Sequence, residues 1–195
     1  MTWDTDAGPR IAFLGTGAQG ASIGADFALA GLDVTFIEQW PDHVTAIREK
    51  GITVHLPSRT INAQVPALHL CEVAEVKEPF DLVFLVVKAY DTKWACQLIE
   101  PVLAKDGLII GLQNGMTHED IAAIVGRERT IGAVIEIASN MWKPGITNRQ
   151  NDHDTSWFAL GALTLRPSRA WRPWRSCCAT RARWKSSTIS ARPSG

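Results

Sequence analysis

The chain has 195 residues, with 20 Lys and Arg against 20 Asp and Glu, a formal net charge of zero and 46% hydrophobic residues. That is room for one well-buried domain with an appendage, and an ordinary composition for a globular protein. No apolar run approaches the roughly 18 residues a membrane span needs, and Cys71, Cys96, Cys177 and Cys178 have neither zinc-type spacing nor the look of a disulfide framework. The opening MTWDTDAGPR is acidic and lacks an apolar core, so it does not read as a signal peptide, and a reducing, cytoplasmic setting is expected.

The first predicted element is a buried strand, the continuous apolar run RIAFLG from Arg10 to Gly15. Small and apolar residues at helical spacing follow from Ala18 to Ala30, with Gly31 as a C-cap. DVTFIE (Asp33–Glu38) is a second strand. Pro41 opens a helix to about Lys50, and Gly51 lies past its end. Short strands are expected at Ile52–Leu56 and Val65–Cys71. DLVFLVV (Asp81–Val87) is the strongest strand in the chain. A helix from about Thr92 to Leu103 leads to the strand GLIIGL (Gly107–Leu112), a helix over Thr117–Val125 and a strand over Thr130–Ser139. After Asn140 the segment WKPGITNRQNDHDTSWFALG reads as a closing hairpin with a polar turn. Strands alternating with helices of this length predict an α/β fold of the Rossmann type, doubly wound around a mostly parallel sheet.

The first strand runs directly into Gly15-Thr16-Gly17-Ala18-Gln19-Gly20. In a G-x-G-x-x-G of this kind the first glycine permits the tight turn and the second admits a pyrophosphate to the backbone. The third lets the helix pack on the strand. The helix N-terminus then presents unpaired N–H groups to the phosphates. Glu38 ends the second strand, 18 residues after Gly20. There a carboxylate accepts hydrogen bonds from the adenosine ribose and repels a 2′-phosphate, which favours NAD. Lys88 and Asn114 follow two further strands at their carboxyl ends, where open α/β sheets bind ligands. An ammonium at that edge suits a cofactor or an anionic substrate. An amide offering both donor and acceptor suits a carboxamide or hydroxyl. Taken singly, Lys88 also reads as an exposed lysine opening a loop, and Asn114-Gly115 as an ordinary turn.

Taken together, LGTGAQG after the first strand, DLVFLVVKAYDT, LQNGM and VGRERTIGAV resemble the ketopantoate reductase family across about residues 10–161. The resemblance implies an NADPH-dependent reduction of a small 2-keto acid, 2-dehydropantoate to pantoate, on the way to pantothenate and coenzyme A. It implies that Gly15–Gly20 hold the cofactor pyrophosphate while Lys88 and Asn114 line the cleft for nicotinamide and substrate. The family usually has a basic residue after the second strand for the 2′-phosphate. Here Glu38-Gln39-Trp40 stands instead, so the resemblance gives NADP and Glu38 argues for NAD. No metal, membrane or nucleic-acid partner is expected.

The charge is unevenly spread. Residues 1–161 carry all 20 acids with 12 of the basic residues, a formal −8, and residues 162–195 carry eight basic residues and no acid. Three tryptophans, Trp171, Trp174 and Trp184, interrupt this tail, and its periodicity fades. In the resembling family the next unit is a helical domain bearing a catalytic lysine and much of the dimer interface, and nothing after Gly161 resembles it. Regrouping a back-translation of the tail one base earlier gives VTRVEAVAQLLRHAGTVEVVDDIRAAKW, an amphipathic helix followed by a strand. The expectation is a dinucleotide-binding domain over residues 1–161 and an aberrant basic tail over 162–195. The tail then reflects a reading frame that slips near Leu163–Arg166, with no catalytic residue present and without the dimer interface of the family. A competing expectation is a non-catalytic dinucleotide-binding module whose Trp/Arg tail binds RNA or a protein. A third is a different dehydrogenase with the same first domain.

Overall fold

A computed structural model describes residues 8–164. Its strands are β1 (Arg10–Leu14), β2 (Asp33–Glu38), β3 (Ile52–His55), β4 (Thr60–Ala63), β5 (Ala67–His69), β6 (Phe80–Leu85), β7 (Leu103–Gly111), β8 (Thr130–Glu136), β9 (Ser139–Lys143), β10 (Ile146–Arg149) and β11 (Trp157–Ala162). Its helices are α1 (Ala18–Leu29), α2 (Pro41–Lys50), α3 (Thr92–Ile99) and α4 (His118–Val125). Seven strands form the main sheet in the order β11-β8-β7-β6-β1-β2-β5. All its pairings are parallel except that of β11 with β8. The chain winds outward from β1 through β2 to β5, then crosses to β6 on the other side of β1. That reversal of direction is the topological switch point of a doubly wound sheet.

The central strands are buried on both faces, which is why their sequences are continuously apolar rather than alternating. In β1, Ile11 and Phe13 face one layer and Ala12 and Leu14 the other, all at 0% exposure. On the first face Phe13 stacks on Phe84 at 4.6 Å, with Phe27 and Phe36 edge-on to it. Aromatic pairs in these arrangements add about 0.5–1.5 kcal/mol each beyond the area they bury. On the second face α3 and α4 cover the sheet with Ala95, Cys96, Ile99, Ile121 and Val125.

A second, four-stranded sheet, in the order β4-β3-β10-β9, lies over α1. It explains why α1 is small and apolar nearly all round: the helix is enclosed between two sheets, burying Gly20, Ala21, Ser22, Ile23, Gly24, Ala25 and Phe27. A Cβ on Gly24 would sit 2.3 Å from the Phe36 ring, so the helix rests directly on the sheet. Arg149 on β10, only 3% exposed, pairs with Asp26 on α1 at 2.6 Å, and His153 approaches the other oxygen of that carboxylate at 2.7 Å.

The elements fall where the sequence puts them, with the following corrections. The helix expected to reach Leu103 stops at Ile99, because Pro101 cannot continue the ladder and directs the chain through a short 3₁₀ turn. The strand expected from Gly107 therefore begins at Leu103. Pro66 and a 3₁₀ turn over Leu70–Glu75 shorten the strand expected at Val65–Cys71 to Ala67–His69. The strand expected over Thr130–Ser139 breaks after Glu136, where the chain leaves the main sheet to enter the small one as β9. The closing hairpin exists as β9–β10, but β11 leaves it and returns to the main sheet beside β8. The strand β4, polar and half exposed, had no signal strong enough to announce it. No second helical unit is present among the described residues, and the tail from residue 165 onward lies outside them.

Candidate functional site

Lateral register brings the candidate residues to one edge. Leu14 of β1 is paired with Ile37 of β2 and with Leu85 of β6, and Leu85 with Gly111 of β7. Neighbouring strands are about 5 Å apart. The glycine loop, Glu38, Lys88 and Asn114, at or within a few residues of their strand ends, therefore emerge along a single carboxyl edge astride the switch point.

Each glycine of the loop answers to a different contact. Gly15 has φ +90°, and a Cβ there would meet the Val87 nitrogen at 2.8 Å. Gly20 holds α1 against the loop, since its Cβ would come within 2.2 Å of the Gly15 carbonyl oxygen. At Gly17, by contrast, a Cβ would meet nothing within 4 Å, and the residue is exposed. The space in front of Gly17 is open to a ligand. Gly17 caps α1 without a side-chain hydrogen bond, and the first turn holds no acid, whereas α2 begins with Asp42 and α4 with Glu119 and Asp120. The free N–H groups and partial positive charge at the start of α1 are left available to an anion. Ala18 and Gln19 contribute through this backbone. The Gln19 side chain turns away, donating to the Ile137 carbonyl at 2.5 Å.

Glu38 is 7% exposed. Its Oε1 accepts the backbone N–H groups of Gln39 at 2.8 Å and Trp40 at 3.2 Å, and Oε2 accepts the Thr16 hydroxyl at 3.1 Å. The carboxylate is thus fixed against the glycine loop. Thr16, fully buried, links the two. Sequence reasoning missed His43 on α2. It is 0% exposed, with Nε2 2.8 Å from the Thr16 carbonyl oxygen and Nδ1 accepting the Gly145 N–H at 2.8 Å.

Lys88 and Asn114 sit at the opposite half of this edge, both exposed, and neither side chain makes a hydrogen bond or ion pair among the described residues. Their loops are nevertheless tied together by Gln113, which sequence reading passed over. Its Nε2 donates to the Thr92 hydroxyl at 2.8 Å and more weakly to the Lys88 carbonyl at 3.4 Å, and its Oε1 accepts the Thr117 hydroxyl at 3.0 Å. Thr92 donates its own hydroxyl proton to the Ala89 carbonyl at 2.7 Å. Two loops are thus fixed by one amide while the groups between them remain free. Among the described residues, no group of three or more His, Cys, Asp or Glu is placed to hold a metal ion, and no helix is long and apolar enough to cross a membrane.

Sheet order, switch point, glycine loop and strand-end acid define a Rossmann-type domain of the dinucleotide-binding class. The family model described as ketopantoate reductase PanE/ApbA matches residues 11–162. The chain belongs to that family. It is 32% identical over 138 residues to the 2-dehydropantoate 2-reductase of Lactococcus lactis, a match covering 70% of this chain and 42% of that one. Among solved structures, the PanE/ApbA family ketopantoate reductase of Ralstonia eutropha JMP134 superposes with a TM-score of 0.77 at 26% identity, covering 93% of this chain and 56% of the other. D-mandelate dehydrogenase, in a ternary structure with NADH and anilino(oxo)acetate, shares the fold with a TM-score of 0.80 at 23% identity, covering 93% and 57%. The chain spans less than half the length of the curated relatives it matches.

Proposed function

We propose that residues 1–161 are the cofactor-binding domain of a reductase for small 2-keto acids, with 2-dehydropantoate as substrate and NADH preferred to NADPH. The observation that carries this reading is the uncapped start of α1 at the switch point, with a buried carboxylate fixed beside it. Gly15, Thr16, Gly17, Ala18, Gln19 and Gly20 would hold the pyrophosphate on their backbone, with Gly17 at the point of approach. Glu38 would accept the ribose hydroxyls with its remaining lone pair. A buried anion held by three hydrogen bonds opposes a 2′-phosphate, which is why NADH is favoured over the NADP of the family resemblance. Bound there, the cofactor supplies the hydride for a 2-keto group. Lys88 would meet the substrate carboxylate and Asn114 the carboxamide or the substrate hydroxyl, both positioned by the Gln113 bridge.

The proton for the resulting alkoxide is assigned, by the family resemblance, to a lysine of the second helical domain. Residues 162–195 stand in this reading as a basic tail from a slipped frame, and sequencing the gene through codons 161–168 tests that directly. The relatives and solved structures named above are reductases and dehydrogenases, which gives no support to an RNA-binding module. The test of function is a titration of the purified chain with NADH and NADPH, followed by nicotinamide fluorescence, with an assay of 2-dehydropantoate reduction. Saturable NADH binding, at least tenfold weaker NADPH binding and negligible turnover are the expected results, a tenfold ratio being about 1.4 kcal/mol. Absence of binding by either nucleotide, or ready turnover by the chain alone, would overturn the reading.

A further inference from the structure

We infer that His43 is a positioning residue for the cofactor: from outside the glycine motif, it aims the Gly17 N–H at the phosphate site. The inference rests on the cofactor reading above and names a determinant that the motif itself does not contain. His43 is fully buried on the first turn of α2, and both ring nitrogens are engaged. The Gly145 backbone N–H can only donate, so Nδ1 must be the unprotonated nitrogen. The ring is then the neutral Nε2–H tautomer, and Nε2 donates to the Thr16 carbonyl. No other state of the imidazole satisfies both neighbours.

The consequence follows from peptide geometry. There is no cis peptide bond among the described residues, and in a planar trans peptide the C=O and N–H point in opposite directions. Drawing the Thr16 carbonyl inward to His43 therefore turns the Gly17 N–H outward, at the exposed tip of the loop. Thr16 is held a second time through its side chain, by Glu38. One peptide unit is thus clamped from two elements, β2 and α2, in the orientation an approaching anion requires. Glycine-rich backbone is otherwise free to rotate, and the motif alone does not fix this peptide. The same ring reaches the turn between β9 and β10, so the small sheet also supports the loop.

The two nitrogens can be separated by substitution. His43→Gln places its amide near the Nε2 position and keeps a donor for Thr16. His43→Asn places it near Nδ1, keeping an acceptor for Gly145 and abandoning the loop. Each variant loses one hydrogen bond, so both should lower the melting temperature of the full chain similarly. For NADH they should diverge. His43→Asn should weaken binding about tenfold, one hydrogen bond's worth, and His43→Gln by less than about threefold. Equal affinities in the two variants, or losses that merely follow the melting temperatures, would overturn the inference. An independent measurement needs no variant: nitrogen-15 spectra of the wild-type imidazole should report Nδ1 unprotonated and Nε2–H, with the Gly17 amide shifting on NADH addition. A proton on Nδ1, or a Gly17 amide indifferent to NADH, would overturn it even where the variants fail to fold. Failure of the wild-type chain to bind either dinucleotide would instead remove the cofactor reading itself, and this inference with it.

Discussion

The two ends of the candidate cleft are built on opposite plans. At the β1–β2 end, Thr16, Glu38 and His43 are buried and bonded to one another or to backbone, and the glycine loop is clamped among them. At the β6–β7 end, Lys88 and Asn114 keep free head groups, and order lies one residue before Asn114, in Gln113. The contrast suits two tasks. A phosphate site gains from donors fixed before the ligand arrives, because the ordering cost is already met in folding. Groups that meet a substrate beside the nicotinamide are useful when the site closes over them, and an ammonium still in reach of water costs little until then. Substitutions of the bonded groups should therefore act through the fold, and those of the free groups and of the open Gly17 through ligands alone.

The largest effect is expected within the loop, from one substitution made at two glycines. Gly20→Ala drives a methyl to within 2.2 Å of the Gly15 carbonyl oxygen, a backbone atom that cannot step aside alone. Overpacking of this kind costs about 1–3 kcal/mol, and thermal unfolding without ligand should reveal it. Gly17→Ala meets nothing within 4 Å at a negative φ of −60°, so apo stability should fall by less than about 1 kcal/mol, the poorer N-cap preference of alanine. NADH affinity should nonetheless fall at least about tenfold, since the methyl fills the approach to the helix. Equal melting temperatures for the two variants would mean that the loop is not packed as described. Unchanged NADH binding by Gly17→Ala would mean that the phosphates do not come to this face.

The second test compares a support with the group it supports. Gln113→Leu leaves the Thr117 hydroxyl without its acceptor and unties the β6 loop from the β7 loop. About 1–2 kcal/mol of stability should be lost. Lys88→Ala removes a side chain with no partner to abandon and should stay within about 0.5 kcal/mol of the parent. In the parent, 2-dehydropantoate is expected to alter the fluorescence of bound NADH, and both variants should abolish that change while leaving NADH affinity within about threefold, which is less than 1 kcal/mol. A large loss of NADH affinity in Lys88→Ala would move that lysine to the cofactor end and dissolve the division.

Local pattern made the central sheet legible. β1, the glycine loop, α1, β2 and the closing acid form a continuous stretch in which each signal lies beside the next, and their bounds match to within a residue. The signal at Glu100-Pro101 was present too, and the expected helix simply overran it. What could not be read is pairing across distance. His43 meets Thr16 and Gly145, 27 and 102 residues away, and a histidine in the first turn of an amphipathic helix announces neither contact. The small sheet is likewise assembled from two hairpins far apart in sequence, with β3 beside β10. Polar, half-exposed strands such as β4 carry little alternation for a pattern to register. Lys88 and Asn114 were read from position along the edge, and the amide that holds their loops was hidden beside them, in the residue before Asn114.

The least effect should come from pH, which separates the β5 end of the sheet from its opposite, amino-terminal edge. Glu72, in the turn after β5, accepts the His69 N–H at 2.6 Å and pairs with Arg48 at 2.5 Å. The backbone hydrogen bond first, and the guanidinium second, hold its carboxyl below the usual glutamate range. Asp81 lies at the start of β6, where burial raises its carboxyl above the usual range despite the Arg10 N–H at 2.9 Å. The signs are opposite. A depressed acid contributes stability above its unfolded value, and that contribution is lost as pH falls through the folded one; a raised acid contributes below its unfolded value and loses it as pH rises through the folded one. Melting temperatures should therefore be compared from pH 3 to 7, across ordinary carboxyl values of about 4. Glu72→Gln should match the parent at the acid limit and fall below it as pH rises. Asp81→Asn should also match it there, then rise above it, because the amide keeps an acceptor for Arg10 and sheds the buried charge. Both differences should be small, since Glu72 pairs in water and Asp81 is only partly enclosed. Parallel curves for the two variants would mean that the two ends do not differ in how they hold charge.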